Sequence, residues 1–221
     1  MKEDKSIINA APTKDLFISM LIRDVTLRDA IGDLLDNCID GALRLRPNGN
    51  YTGLKVEIEL DTVNGHFKIN DNCGGIPVDI ARTHAFRFGR SQLKGQNTKH
   101  SVGVFGIGMK RALFKLGKKF HIESVSSNSS FEMDVDVAKW KDLKVDDIES
   151  WQFVFGKYEE GRKEEFPEAA RFTKITVTDL NDDVIQSFKT DQDMDELIKE
   201  LEREHLYSID KGLKIMVDKT L

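Results

Sequence analysis

A glycine-rich stretch, SVGVFGIGMKRALFKLG, carries the clearest chemical signal in the sequence. Gly103, Gly106 and Gly108 fall just before a run that predicts a helix. Glycine lets a backbone approach a ligand closely and turn freely. A helix beginning near Gly108 would direct its unpaired N–H groups and positive dipole end at the loop, and Lys110 and Arg111 add charge there. The stretch therefore predicts a site that binds phosphates.

Three polar residues, Asp33, Asn37 and Asp40, share one face of a second predicted helix because they lie four and three residues apart. A carboxylate and a carboxamide one turn apart can hold a hydrated Mg²⁺ or a water molecule beside a phosphate. The same residues also fit the solvent-facing side of an ordinary amphipathic helix. The helix in isolation leaves both interpretations open.

Asp71 directly follows a predicted strand and precedes two glycines in the segment DNCGGIP. It could present its carboxylate to a flat ligand such as a purine, whose amino group would donate a hydrogen bond to it. Taken alone, the segment is typical of a turn. Thr173 begins another predicted strand, where a threonine is usually structural.

The region from Ile80 to Ile122 contains no Asp or Glu. It carries ten cationic side chains: Arg82, Arg87, Arg90, Lys94, Lys99, Lys110, Arg111, Lys115, Lys118 and Lys119. Because this basic block overlaps the glycine-rich stretch, we favour a phosphate-rich partner over a merely solvated basic surface. The net charge of the whole chain, −5, argues against a general nucleic-acid binder.

Composition indicates a globular protein outside the membrane. The chain has 221 residues, of which 39% are hydrophobic and 32% charged, enough for one large domain or two small ones. It has no apolar run of transmembrane length and no apolar signal core near its N-terminus. The two cysteines, Cys38 and Cys73, lack metal-ligand spacing and fit a reducing compartment, so we expect a cytoplasmic protein.

The pattern of apolar residues predicts the elements that must position these side chains. A long helix is capped by Thr26 and Asp29 and ended by Pro47. Further helices are predicted at 14–22, 77–86, 108–116 and 193–206, and strands at 54–60, 66–70, 119–126, 130–138, 151–156, 172–180 and 213–218. Because helices and strands do not alternate strictly, we expect an α/β (α+β) two-layer sandwich with a mixed, largely antiparallel sheet.

Four segments in this order, AIGDLLDNCIDGA, INDNCGGIP, SVGVFGIGMKRA and FTKITVTDL, resemble the four nucleotide-binding boxes of the GHKL ATPase superfamily. The superfamily includes type II DNA topoisomerases, the heat-shock chaperones of ninety kilodaltons, histidine kinases, MutL and the MORC proteins. The resemblance covers about residues 12–180 and is strongest toward the chaperone, topoisomerase VI and MORC branches. It implies a Bergerat fold, with helices on one face of the sheet and ATP beneath a lid at residues 89–105.

The resemblance also implies a role for each site residue. Asn37 would coordinate the Mg²⁺ that bridges the phosphates. Asp71 would accept a hydrogen bond from the adenine amino group, and Thr173 would support Asp71 through water. The remaining cofactor-binding residues would be Asp40, Gly75 and Ile76 near the base, with Gly75 giving the adenine clearance, and Gly103, Val104, Phe105, Gly106, Ile107, Gly108, Met109 and Lys110 around the phosphates.

Two positions depart from the superfamily pattern. The water-activating residue of the first box is usually Glu, and here Asp33 stands there as the candidate catalytic residue. Because aspartate is one methylene shorter, its carboxylate would lie about 1 to 1.5 Å further back, which can cost on the order of 100-fold in rate. Phe172 stands where a glycine commonly precedes the threonine of the last box.

The leading hypothesis is an ATP-driven conformational switch that closes its lid, dimerises with ATP bound and hydrolyses slowly. It would act in a larger chaperone-like or DNA-acting protein on a client that the sequence does not identify. A nucleotide sensor that does not hydrolyse ATP is the alternative, motivated by Asp33. A histidine kinase core is disfavoured because residues 1–25 are too short for a phospho-acceptor helix.

Other nucleotide-binding folds do not fit the spacing. The glycines run GxxGxG rather than GxGxxG, and neither GxxxxGKS nor GxxxxGKT is present. We divide the chain into an arm at 1–14, an ATP-binding domain at 15–206, and a terminal strand or the start of a transducer-like domain at 207–221. That downstream domain would be a partner of the ATP site in the same chain.

Overall fold

The computed structural model describes residues 12–88, 107–143, 151–188 and 190–220. The predicted lid, most of the predicted N-terminal arm and four residues of the predicted phosphate loop lie outside the described residues. Those four are Gly103, Val104, Phe105 and Gly106.

The described elements follow the predicted order closely. The helices are α1 (Lys14–Ile22), α2 (Leu27–Leu45), α3 (Val78–Ile80, continued by a π-helical turn at Ala81–Ala85), α4 (Gly108–Leu116), α5 (Val137–Asp142), α6 (Asp182–Ser187), α7 (Asp191–Glu204) and α8 (Leu206–Asp210). The strands are β1 (Lys55–Asp61), β2 (His66–Asp71), β3 (Gly117–Val125), β4 (Ser130–Asp136), β5 (Lys157–Glu159), β6 (Phe172–Leu180) and β7 (Lys214–Thr220).

The described strands form one seven-stranded sheet in the order β5-β4-β3-β6-β2-β1-β7. Strands β1 and β7 pair in parallel, and the other pairs among the described strands are antiparallel. The predicted mixed, largely antiparallel sheet is therefore confirmed. Strands β2 and β6 lie side by side at its centre, so their ends can meet at one site.

One face of the sheet is covered by helices and the other faces solvent. Along the strands, buried apolar residues alternate with partly exposed ones, and the buried set joins α2 and α4 in a single hydrophobic cluster. The opposite face is polar and carries cross-strand ion pairs, such as Lys68–Glu59 at 3.1 Å and Lys174–Glu123 at 2.9 Å. This is the predicted two-layer sandwich, in which one face of a largely antiparallel sheet packs on the core and the other meets solvent.

Helix α2 is anchored by its sequence at both ends. The predicted capping box is present: Asp29 N donates to Thr26 Oγ1 at 3.1 Å, and Thr26 N donates to Asp29 Oδ2 at 2.9 Å. The helix ends at Leu45, before Pro47, which cannot donate the next backbone hydrogen bond. The apolar stripe of α2 is buried against the sheet and α4, which leaves the side with Asp33 and Asn37 for the site.

Two predicted strands differ in the structure. The strand predicted at 151–156 is wrong: Trp151, Phe153 and Phe155 alternate because their side chains pack on the core, while the local strand is β5. The strand predicted at 130–138 ends at Asp136, whose side chain accepts from Lys139 N at 3.2 Å and so caps α5.

A buried ion pair between α2 and the end of α7 makes stability depend on pH. His205 is 5% exposed, and its Nε2 lies 3.1 Å from Asp36 Oδ1 while its Nδ1 lies 2.9 Å from Leu201 O. Burial lowers the pKa of His205, but the hydrogen bonds to Asp36 and Leu201 outweigh it and raise the pKa overall. A histidine whose pKa is raised by folding stabilises the fold below its ordinary pKa, and loses that effect as pH rises through the folded pKa.

We therefore expect the melting temperature to fall between pH 6 and pH 8 by about 3 to 6 °C more in the natural chain than in Asp36→Asn, because a hydrogen bond to a charged group contributes about 1.5 kcal/mol or more. Thermal melts across this range measure the difference. The control is Asp195→Asn, an exposed carboxylate on α7. An identical pH slope in the natural chain and Asp36→Asn contradicts the prediction.

Candidate functional site

Helix α2 carries both ends of the candidate site. A Cβ built on Gly108, at the start of α4, would lie 3.1 Å from Asp33 Oδ1. A Cβ built on Gly41, eight residues further along α2, would lie 2.8 Å from Cys73 O, in the loop after β2. At 1.5 Å rise per residue the two contacts are about 12 Å apart along the helix. The start of α4 and the loop after Asp71 thus lie along the same helix.

Asp71 ends β2 as a buried carboxyl group that is only 6% exposed. Its Oδ1 accepts a hydrogen bond from Cys73 N at 2.7 Å. Burial raises the pKa of Asp71 to about 6, and hydrogen bonds from Cys73 and from the Cys38 thiol offset part of that rise. Because a carboxylate offers about four acceptor positions, Asp71 keeps capacity for a donor from a ligand.

Asp71, Thr173 and Ser124 form a polar row across three neighbouring strands. Asp71 pairs in register with Thr173, and Thr173 with Ser124. The Ser124 and Thr173 hydroxyl oxygens are 3.2 Å apart, and both residues are buried. The register supports the assignment of Thr173 despite the Phe172 departure.

Ser124 belongs to the site but was not predicted from the sequence. Its hydroxyl accepts a hydrogen bond from Ile76 N at 2.8 Å and so holds the loop that follows Asp71. The available signal was its position: Phe120, Ile122 and Ser124 alternate on the buried face of β3, where a polar side chain needs a partner.

Gly75 is required first by the protein's own backbone. It has a φ of +72°, and a Cβ built there would lie 2.0 Å from Val125 O. Only glycine therefore lets the loop after β2 approach the end of β3 so closely. Val125 occupies the side of Gly75 where a Cβ would lie, so the structure explains this glycine without a ligand. The clearance for adenine at Gly75 stays a prediction.

Asp33, the candidate catalytic residue, is held in a two-pronged ion pair. Arg111 Nε donates to Asp33 Oδ2 at 2.5 Å, and Arg111 Nη2 donates to Asp33 Oδ1 at 2.9 Å. The Asp33 side chain is 16% exposed and that of Arg111 34%. The hydrogen bonds raise the pKa of Arg111, so the guanidinium stays charged. Both prongs of the guanidinium are thus engaged by Asp33 in this arrangement.

Asn37 and Asp40 follow Asp33 along α2. Asn37 Nδ2 donates to Asp33 O at 2.5 Å, which leaves its amide oxygen as the outward acceptor on an exposed side chain. Asp40 is half-buried, and its charge helps to raise the pKa of Tyr51, after the larger effect of burial. Asp40 precedes Gly41, which contacts the loop after Asp71, and so lies toward that end of α2.

The donor set fits Mg²⁺ bound mainly through a nucleotide. In the described ranges no three His, Cys, Asp or Glu side chains converge to form a metal site. Mg²⁺ commonly keeps several water ligands and binds through few protein oxygens plus substrate phosphates. The outward amide oxygen of Asn37 suits that arrangement, as predicted for this residue.

The first turn of α4 contains the described part of the predicted phosphate loop: Ile107, Gly108, Met109 and Lys110. Among the residues that the structure describes, no side chain caps this helix start. Met109 is buried in the core, and Lys110 is 3% exposed. Lys110 Nζ donates to Ala85 O at 2.7 Å, and burial lowers the pKa of Lys110 to about 8. The side chain of Lys110 thus contacts the protein interior. Its predicted contact with phosphates would be made by its backbone N–H.

Much of the described basic block is paired within the protein. Lys110 donates to a backbone carbonyl, and Arg111 pairs with Asp33. Three further cations of the block make ion pairs: Arg82–Glu160, Lys115–Asp183 and Lys119–Asp179. These paired cations therefore contribute less positive charge to a phosphate site than the sequence suggested.

Both cysteines, Cys38 and Cys73, are buried beside Asp71. Burial and the neighbouring carboxylate raise the pKa of both thiols. The thiolate fraction that would react with reagents is therefore very small.

The chain matches the family model described as Histidine kinase-, DNA gyrase B-, and HSP90-like ATPase over residues 25–161. The chain belongs to this family and carries an ATP-binding domain of the GHKL type. The matched residues include Asp33, Asn37 and Asp71 but end before Thr173, whose placement rests on the strand register. A search of curated proteins found no match.

Within the part of the chain that the structure describes, no helix is both long enough and apolar enough to cross a membrane.

Proposed function

We propose that this domain binds Mg·ATP between the loop after β2 and the start of α4, hydrolyses it slowly, and serves as a conformational switch in a larger protein. The observation that carries the proposal is the spacing along α2. The loop after Asp71 contacts α2 at Gly41, and the start of α4, which no described side chain caps, contacts α2 at Asp33, about 12 Å away along the helix. That separation suits a nucleotide with its base at Asp71 and its phosphates at Gly108.

Each end of the site has a distinct chemical task. Ionised Asp71 would accept a hydrogen bond from the adenine amino group, with Thr173 and Ser124 keeping it in place. The N–H groups at the start of α4 would donate to phosphate oxygens. Asn37 would hold Mg²⁺, which when bound neutralises phosphate charge. Asp33 would orient and deprotonate the attacking water.

Thermal melting of the full chain with a non-hydrolysable Mg·ATP analogue tests the proposal. A ligand at 100 times its Kd stabilises the folded state by about 2.7 kcal/mol, which raises the melting temperature by about 5 to 10 °C in a chain of this size. Mg·GTP, which lacks the adenine amino group, is the matched control and should stabilise less. Absence of any shift at millimolar Mg·ATP analogue contradicts the proposal.

A nucleotide sensor that binds but does not hydrolyse ATP is the second candidate. The specific observation in its favour is the Asp33–Arg111 ion pair, which engages both oxygens of the candidate base. Dimerisation with ATP and action on a protein or DNA client belong to the switch proposal. Sedimentation with and without Mg·ATP analogue measures the dimer.

A further inference from the structure

We propose that Arg111 recognises the terminal phosphate of the nucleotide by exchanging Asp33 for a phosphate oxygen, and so makes the site prefer ATP over ADP. The inference rests on the proposed function of the site. Its basis is the two-pronged Asp33–Arg111 ion pair, with donor–acceptor distances of 2.5 and 2.9 Å. The planar guanidinium fork binds a phosphate in the same two-pronged way as a carboxylate.

The ion pair lies where the terminal phosphate is expected. Asp33 Oδ1 is 3.1 Å from a Cβ built on Gly108, so the carboxylate lies over the first turn of α4. Arg111 is in that same turn, since its backbone N–H donates to Ile107 O at 2.9 Å. The carboxylate thus occupies a place where the helix favours an anion. A phosphate arriving there would compete for the same guanidinium.

Arg111 is accessible to a ligand, whereas its cationic neighbours on α4 are committed elsewhere. The Arg111 side chain is 34% exposed. Lys110 is buried against Ala85 O, and Lys115 pairs with Asp183 at 2.9 Å. The Asp33 hydrogen bonds raise the pKa of Arg111, and the charge of Asp29, one turn before Asp33 on α2, adds a smaller rise.

The exchange would have two consequences. The terminal phosphate would bind the Arg111 guanidinium, and the Asp33 carboxylate would be released to accept a proton from water. ADP lacks that phosphate and would leave the ion pair intact. The site would therefore distinguish the two nucleotides with a residue that also controls the candidate base.

Calorimetric titration of the full chain with Mg·ATP analogue and with Mg·ADP tests the role of Arg111. Arg111→Ala should weaken analogue binding by about tenfold or more and ADP binding by less than about threefold, because a charged hydrogen bond is lost only with the terminal phosphate. Arg111→Lys should restore part of the preference. Lys115→Ala, which removes a cation further along α4, is the matched control and should keep the natural ratio.

Asp33→Asn provides an independent measurement. Without the competing charge, Arg111 should bind the analogue about threefold or more tightly, with little change for ADP. Nucleotide binding with an unchanged ATP-to-ADP ratio in Arg111→Ala would mean that Arg111 only holds Asp33, which overturns this inference alone. Failure of the natural chain to bind either nucleotide overturns the proposed function and this inference with it.

Discussion

Replacing Asp71 with asparagine is expected to weaken Mg·ATP binding by about 100-fold. The substitution removes a charged acceptor and turns an amide N–H₂ toward the adenine amino group, so two buried donors face each other. Hydrogen bonds to charged groups contribute about 1.5 to 3 kcal/mol, and an unsatisfied buried donor costs more. Titration calorimetry with an ATP analogue measures the loss.

Asp61→Asn is the matched control for Asp71→Asn. Asp61 is also a buried carboxylate, 5% exposed, but it ends β1 and accepts hydrogen bonds from Asn64. We expect its substitution to leave nucleotide affinity unchanged. Equal affinity for ATP in Asp71→Asn and Asp61→Asn would remove Asp71 from the site.

The same carboxylate predicts how ATP binding depends on pH. Burial raises the pKa of Asp71 to about 6, and the adenine amino group donates a stronger hydrogen bond to the ionised carboxylate than to the neutral acid. Lowering the pH from 7 to 5 leaves about one tenth of the carboxyl groups ionised, so affinity should fall by up to about tenfold. Asp71→Asn reports the part of the pH effect that comes from protonation of the phosphates, and the difference between the two proteins isolates Asp71.

Replacing Asp33 with asparagine is expected to lower the rate of ATP hydrolysis by about 100-fold or more while nucleotide binding persists. A positioned general base contributes about 10²- to 10⁴-fold to a rate, and an amide cannot accept the proton. Asp33→Glu should hydrolyse faster than the natural chain, by about tenfold, because the longer side chain reaches the water. Phosphate release under saturating Mg·ATP measures all three rates.

Asp36→Asn is the matched control for the hydrolysis experiment. Asp36 is on the same helix, but it faces His205 rather than Arg111. Its substitution should leave the rate unchanged. If the natural chain releases no phosphate above background and Asp33→Asn changes nothing, the switch interpretation fails and the non-hydrolysing sensor remains.

Local features of the fold were predictable because their causes are local. The capping box of α2 involves residues three apart, and Pro47 ends the helix whatever surrounds it. Asp71 at a strand end followed by glycines is likewise a short-range pattern. The burial of Asp71, in contrast, depends on β6 and β3, which lie beside and beyond it in the sheet.

The Asp33–Arg111 ion pair could not be predicted in the same way. The two residues are 78 positions apart, and their contact depends on how α2 packs against α4. The sequence therefore suggested that Arg111 adds charge at the phosphates, whereas the structure places it on Asp33. The parallel pairing of β7 with β1 was missed for the same reason: a strand pattern predicts alternation but not its neighbour.

Helix α2 fixes the distance between the two ends of the candidate site. Its 19 residues form one continuous helix, so the gap between the turn with Asp33 and the turn with Gly41 cannot shorten or lengthen. A ligand that is too short to span this gap can satisfy one end or the other, but not both. Any movement driven by the ligand must therefore occur in the parts of the chain around α2, while the helix itself keeps its length.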